Sequence, residues 1–293
     1  MRNDFSVVGH WAGGFDEAAL QNWAEQLRGQ LSPRRVSLGL AFMTPAFFSH
    51  APQVLEILRV HAQIPLLAGC SSTGLIAGEK ELEANAGLVL GLYAFPEAEL
   101  RTHRITQEQL EEANGPGYWH LETGLNPDQT NGWLVFADPF HLDCDSWLNE
   151  WNEAFAPLPI LGGLASGDQS EQRTQLYLNG DVFEDGGIAI SFGGGVRLSS
   201  VISQGCTPIG ETWTITKTER NLIHQIGNRA AYEVLMETFE KLPDKDQEKA
   251  RGNLFIGLVM NEYLEEFHRG DFLIRNLLGA DPNTGCIAVG AFP

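Results

Sequence analysis

Two stretches of the chain set glycine beside hydroxyl groups, the first also beside a thiol, at the end of a short apolar run. The first is Pro65-Leu66-Leu67-Ala68-Gly69-Cys70-Ser71-Ser72-Thr73-Gly74, and the second is Pro159-Ile160-Leu161-Gly162-Gly163-Leu164-Ala165-Ser166-Gly167-Asp168. Glycine lets a ligand or a second backbone come close, and serine and threonine hydroxyls donate or accept hydrogen bonds. Gly69, Cys70, Ser71 and Ser72, facing Gly163 and Ser166, are therefore candidate ligand-binding residues. Gly205-Cys206-Thr207-Pro208-Ile209-Gly210 is a further glycine-bounded loop, and Arg275 could hold a carboxylate bidentately or act as a structural ion-pair partner. Backbone N–H groups in such loops suit the same carboxylate. In packing terms, each loop is equally a tight turn where two layers approach.

Cys70 or Cys206 could also act as a nucleophile, which would need a base within reach. Among the eight histidines only His141 and His224 lie near segments able to approach a glycine loop, and no feature ties either to a particular cysteine. The other reading of each thiol is a buried, inert one. His141-Leu142-Asp143-Cys144 carries metal-ligating types, but adjacent side chains in a turn seldom converge on one ion. No catalytic set, metal site or cofactor is assigned, and the chain is expected not to be an enzyme.

Both candidate loops sit in the same surroundings. An apolar, strand-like run precedes each at Val36 to Met43 and Trp133 to Ala137, a helix-like segment intervenes, and a glycine-led apolar run follows at Gly87 to Leu92 and Gly187 to Phe192. The pattern reads as a duplicated strand-helix-strand-loop-strand unit. Each strand-helix-strand passage implies a parallel pair joined by a right-handed crossover. In the first strand Val36, Leu38, Leu40 and Phe42 form a bulky face, and Ser37, Gly39, Ala41 and Met43 a mainly small one that permits close approach of a second layer.

Phe15 to Leu27, Ala51 to Ala62 and Cys144 to Phe155 read as helices, the last with Trp147, Leu148, Trp151 and Phe155 at core spacing. Gly78 to Asn85 reads as an exposed acidic segment, and residues 96–129 as a connection with a short helix at Gln107 to Ala113. Asn179-Gly180 is the strongest hairpin signal, between Gln175 to Leu178 and Asp181 to Phe183. Strands are expected at Arg197 to Gln204, Thr212 to Thr216, Leu222 to Ile226, Leu254 to Met260, Phe272 to Leu277 and Cys286 to Val289, with a helix at Arg229 to Leu242. The fold class is mixed α/β: duplicated units forming mixed β-sheets that pack together and are covered by helices.

At 293 residues the chain is long enough for a large core and, as a prior, for two domains. Its net charge of −19 disfavours nucleic-acid phosphates and anionic membranes by repulsion. No run approaches the roughly 20 apolar residues of a membrane helix, and Met1-Arg2-Asn3-Asp4-Phe5 does not open a secretion signal. A cytoplasmic protein is expected. Cys70, Cys144, Cys206 and Cys286 lie far apart without a Cys-x-x-Cys pair, against a zinc ribbon or a disulfide framework.

The order and spacing of Gly69-Cys70-Ser71, Gly162-Gly163, Asp185-Gly186-Gly187, Ser203 to Gly210, and Arg275 with Asp281 resemble the FIST family (F-box and intracellular signal transduction proteins), over roughly Arg35 to Pro293. Residues 1–34 read as an N-terminal helical extension, and the resemblance implies a FIST N-like domain over 35–218 and a truncated FIST C-like domain over 219–293. It further implies a sensory protein in signal transduction that binds a small ligand, an amino acid or other small carboxylate, and works with a signalling protein partner. The alternatives are a cysteine-dependent enzyme acting on a small molecule and a protein-interaction scaffold. The family offers no catalytic residues to carry over, and no F-box-like helical segment precedes the module.

Overall fold

In the computed structural model of the chain, the described residues are 5–31, 34–83, 86–168, 170–201, 205–260, 263–264, 266–268 and 270–290. They divide into two units, Met1–Ser200 and Val201–Pro293.

The first unit contains one structural motif twice. In the first copy β1 (Ser6–Ala12), α1 (Glu17–Leu31), β2 (Leu38–Met43), α2 (Ala51–His61), β3 (Leu67–Ser71), β4 (Gly74–Ala77), β5 (Lys80–Glu83) and β6 (Gly87–Tyr93) follow in order. In the second, β7 (Ala98–Ile105), α3 (Gln107–Glu112), α4 (Pro116–Thr123), β8 (Trp133–Ala137), α5 (Cys144–Phe155), β9 (Ile160–Leu164), β10 (Leu176–Leu178), β11 (Asp181–Phe183) and β12 (Gly187–Gly194) do the same. The strand orders β1-β6-β2-β3 and β7-β12-β8-β9 are identical in connectivity. In each, the pair joined by the helix is parallel and the other two pairings are antiparallel.

The side-chain pattern builds four layers. The small face of β2, through Ala41 and Met43, packs with Leu20, Ala24 and Leu27 of α1 and Val54, Leu55 and Leu58 of α2. A side chain at Gly39 would meet Ile64, just after α2, at 2.8 Å, so smallness here makes room for the chain that follows the helix. The bulky face, Leu38, Leu40 and Phe42, instead meets Phe136, Ile188, Ile190 and Phe192 of the other sheet. The far side of that sheet packs against α5, where Trp151 touches Trp133, Trp147 and Phe155 and also Trp119 of α4. Large aromatics buried at helical spacing of this kind are core anchors.

Several expectations change. The described residues of the 1–34 stretch do not stand apart as a helical extension: β1 pairs with β6 and α1 is buried against the same sheet. Residues 96–129 hold β7 and α4 besides the short helix α3. The acidic stretch after Gly78 is the second arm of a hairpin, with Lys80–Glu83 paired to Gly74–Ala77. Residues 197–201 form no strand, and the rest of that expected strand, 202–204, lies outside the described residues.

The second unit is a sheet of order β13 (Ile215–Glu219), β14 (Leu222–Ile226), β18 (Cys286–Val289), β17 (Phe272–Asp281), β16 (Phe255–Val259), with β15 (Arg229–Ala230) on β14. The strand expected at 212–216 starts later because Ile215 is the first residue to pair with β14. Ala231 and Val234 of α6 (Ala231–Glu240) pack on Ile223, Ile226, Ile287 and Val289, and α7 (Asp244–Ala250) carries the charged run.

Candidate functional site

The two glycine-rich stretches do meet, and their equivalent residues touch. Thr73 lies four positions beyond Gly69, as Ser166 does beyond Gly162. Thr73 N–H donates to Ser166 Oγ at 2.9 Å, the hydroxyls are 3.3 Å apart, and Ser166 N–H donates to the Ser71 carbonyl at 3.1 Å. Phe42 and Phe136, equivalent in β2 and β8, are likewise in edge contact at 5.6 Å between ring centroids. Contacts between equivalent residues mark a pseudo-two-fold axis between the copies.

The residues chosen from sequence have mixed fates. Gly69, Cys70 and Ser71 lie inside β3, and Gly163 inside β9, not in loops. Gly69 and Gly162 answer to packing, because each backbone runs against the neighbouring parallel strand. Cys70 is buried, and burial pushes its thiol up to about 12, so it carries no thiolate at neutral pH. Ser71 is fully buried, its Oγ accepting from Gln175 N–H at 2.9 Å. Ser72 donates to the Gly74 carbonyl at 2.6 Å. Gly163 and Ser166 remain partly open to solvent. Gly205, Cys206 and Arg275 belong to the second unit, where Arg275 donates to the Ile274 carbonyl at 3.0 Å.

Sequence reading missed the polar network that Ser71 enters. Gln175 Nε2 donates to Glu184 Oε1 at 3.2 Å, and Arg173 donates to the same oxygen through Nε at 2.9 Å and Nη2 at 2.6 Å. The Arg173 hydrogen bonds hold the Glu184 carboxyl below the usual range. Next along the chain, Thr174 Oγ1 donates to Asp138 Oδ1 at 2.7 Å. Asp138, directly after β8, is 0% exposed. Its Oδ2 accepts both the His141 backbone N–H and His141 Nδ1 at 2.7 Å. In the neutral imidazole, a carboxylate oxygen accepting from Nδ1–H sets the tautomer and leaves Nε2 as an acceptor. The signal that could have found this pair is Asp138-Pro139 closing a buried strand, with a histidine three residues on.

His141 opens onto a cleft of about 490 Å³ lined also by Gln107, Glu108, Phe183, Glu184 and Asp185. Arg104 holds the lining residue Asp185 by a hydrogen bond and also donates to the Ile105 and Gly187 carbonyls. Gln107 Oε1 is engaged by the Asp143 N–H, and its amide donates to Glu111 at 3.2 Å. The free capacity of the lining is thus mostly acceptor. Cys144, beside Asp138, has its thiol pushed up to about 11 by burial and neighbouring carboxylates.

Among the described residues no group of three or more His, Cys, Asp and Glu is arranged to hold a metal ion, and no helix is long and apolar enough to cross a membrane.

Comparison with known proteins places the chain in a family whose model runs from β2 through the second copy and into the second unit. A family model described as the FIST N domain matches residues 37–229. The uncharacterized protein Rv0628c of Mycobacterium tuberculosis is 32% identical over 247 residues, 83% of this chain and 62% of its own length. The uncharacterized protein Mb0898c of Mycobacterium bovis is 31% identical over 268 residues, 91% of this chain and 67% of its own. The uncharacterized protein MJ1623 of Methanocaldococcus jannaschii is 20% identical over 236 residues, 78% and 44% respectively. The chain thus spans about three fifths of the length of the first of these relatives. With the model matching more than half of the chain, including the strand ends where the two copies meet, the chain belongs to the FIST family.

Proposed function

We propose that the first unit is a sensory, small-molecule-binding module of a signal-transduction protein, and that its ligand presents an amine. The observation that carries this reading is the Asp138–His141 pair, whose neutral imidazole offers an Nε2 acceptor at a cleft where Glu184 and Asp185, though bonded to Arg173 and Arg104, keep further acceptor capacity. A ligand fitting that lining must bring donors, and an ammonium group does so. Amino acids fit through their α-ammonium group, which shifts the recognised end of the ligand away from the carboxylate first expected at Arg275.

Binding without turnover is the expected mode. Cys70 is a buried, protonated thiol in the sheet interior, and the Asp138–His141 pair stands next to Cys144, whose thiol is also held protonated. Signal output would pass to a protein partner through the change in this cleft. Thermal denaturation against primary amines and amino acids tests the reading: amine-bearing compounds should raise Tm, and His141→Ala or Glu184→Gln should remove the effect.

A further inference from the structure

The two copies differ in one respect that the duplication itself makes conspicuous. The hairpin of the second copy, β10–β11, adds to the edge of the first copy's sheet, pairing Leu176, Tyr177 and Leu178 with Cys70, Gly69 and Ala68 of β3. The hairpin of the first copy, β4–β5, pairs only with itself among the described residues, and β9, the counterpart of β3, has an open edge.

The two hairpins correspond closely. Each turns through two residues, Gly78-Glu79 and Asn179-Gly180, and the first of each pair has positive φ, 63° and 55°. The same three-residue spacing separates Glu83 from Gly87 and Phe183 from Gly187. The chain between β3 and β4 already reaches the β9 end, since Thr73 bonds Ser166.

The open edge also lacks two of the features that keep an edge strand unpaired. Ile160-Leu161-Gly162-Gly163-Leu164 carries no charge and no proline, and Leu164 is 58% exposed. Exposed, uncharged edges recruit other strands. The hairpin supplies the complement: Ile76 on β4 is 74% exposed, whereas β5, Lys80-Glu81-Leu82-Glu83, carries charge at three of its four positions, as a protective outer edge does.

We infer that β9 is a strand-accepting surface whose occupant is the chain's own β4–β5 hairpin, seated antiparallel as β10–β11 sits on β3. Transferring the register of the second hairpin places Leu75 opposite Gly163, Ile76 opposite Gly162 and Ala77 opposite Leu161. The seated state gives the second sheet six strands, as the first has. The inference rests on the repeat and not on the ligand reading.

In the β10–β3 pairing, Ser71 N–H donates to the Gln175 carbonyl and Asn179 N–H to the Leu67 carbonyl, so Leu178 and Ala68 form a non-hydrogen-bonded pair with close side chains. Their counterparts are Ala77 and Leu161. The full chain with Ala77→Cys and Leu161→Cys should therefore form an intrachain disulfide under mild oxidation, at a rate about tenfold or more above Ala77→Cys with Gly29→Cys, as expected for a tethered pair. Peptide mapping by mass spectrometry separates this bond from those of the native cysteines. Hydrogen exchange of the wild-type 160–164 segment gives a second reading without cysteines: slow exchange that Ile76→Pro accelerates supports the seat. Control-level cross-linking with fast exchange in 160–164 overturns the inference, and so does a disulfide found only between two chains, which would make the occupant a second copy.

Discussion

Gly69 and Gly162 occupy the same place in the two copies: β-carbons added to them would fall 1.8 Å from the carbonyl oxygens of Ala41 and Val135, their partners in the parallel strands. Their φ values, 153° and 159°, agree as closely. One backbone approach, used twice, brings the strand ends together where Thr73 meets Ser166.

Gly69→Ala and Gly162→Ala should each destabilise the first unit by about 3 kcal/mol or more, since backbone atoms have to move. Gly163→Ala, whose added carbon meets nothing within 4 Å, should stay within about 1 kcal/mol of wild type. Urea denaturation checks this, and equal losses at Gly162 and Gly163 would contradict the packing account.

Stability should fall in alkali. Burial raises the Cys70 thiol to about 12 and also raises the Tyr177 hydroxyl, with Cys70 adding to the latter. In the unfolded chain these groups ionise near ~8.5 and ~10. Above about pH 8.5 the unfolded state therefore binds fewer protons than the folded one, and the Cys70 contribution is lost progressively as pH rises toward 12. The loss should be on the order of 1 kcal/mol per pH unit between about pH 9 and 11, and Cys70→Ala should flatten the slope. An identical slope in Cys70→Ala, measured by urea titration across that range, would exclude Cys70 as its source.

Thr174→Val should cost about 1.5–3 kcal/mol, because it strips one hydrogen bond from the wholly buried Asp138 carboxylate. Denaturation of this variant beside Thr174→Ser, which keeps the hydroxyl, separates the bond from the shape. The serine variant should retain most of the wild-type stability.

Trp151→Ala should cost about 3–5 kcal/mol, since Trp151 is fully buried against Trp119, Trp133 and Trp147. A fluorescence-monitored unfolding midpoint unchanged by the substitution would contradict its place at the centre of that core.

The repeat was legible because it lies in local pattern. Proline, apolar run and glycine recur in order, and Leu38, Leu40 and Phe42 alternate with small residues as an intermediate sheet requires. The role of the glycines was not, because the clash at Gly69 is with Ala41, a strand away. β1 escaped notice for a similar reason. Ser6–Ala12 mixes His10 and Trp11 with valines at a half-covered edge, without clean alternation. The Asp138–His141–Thr174 network joins residues 36 positions apart, and no local pattern links Thr174 to Asp138. Nothing in the local pattern shows that Ser71 and Arg275 belong to different units.

The central claim is that the cleft at His141 binds a small amine-bearing molecule. Isothermal titration of the chain with a panel of primary amines, amino acids and amine-free carboxylates tests it directly, with His141→Ala and Glu184→Gln as paired controls. The account predicts saturable binding of an amine or amino acid, weakened about tenfold or more by either substitution, as loss of a charge-assisted hydrogen bond implies. Binding of amine-free carboxylates alone, or amine binding indifferent to both substitutions, would contradict it.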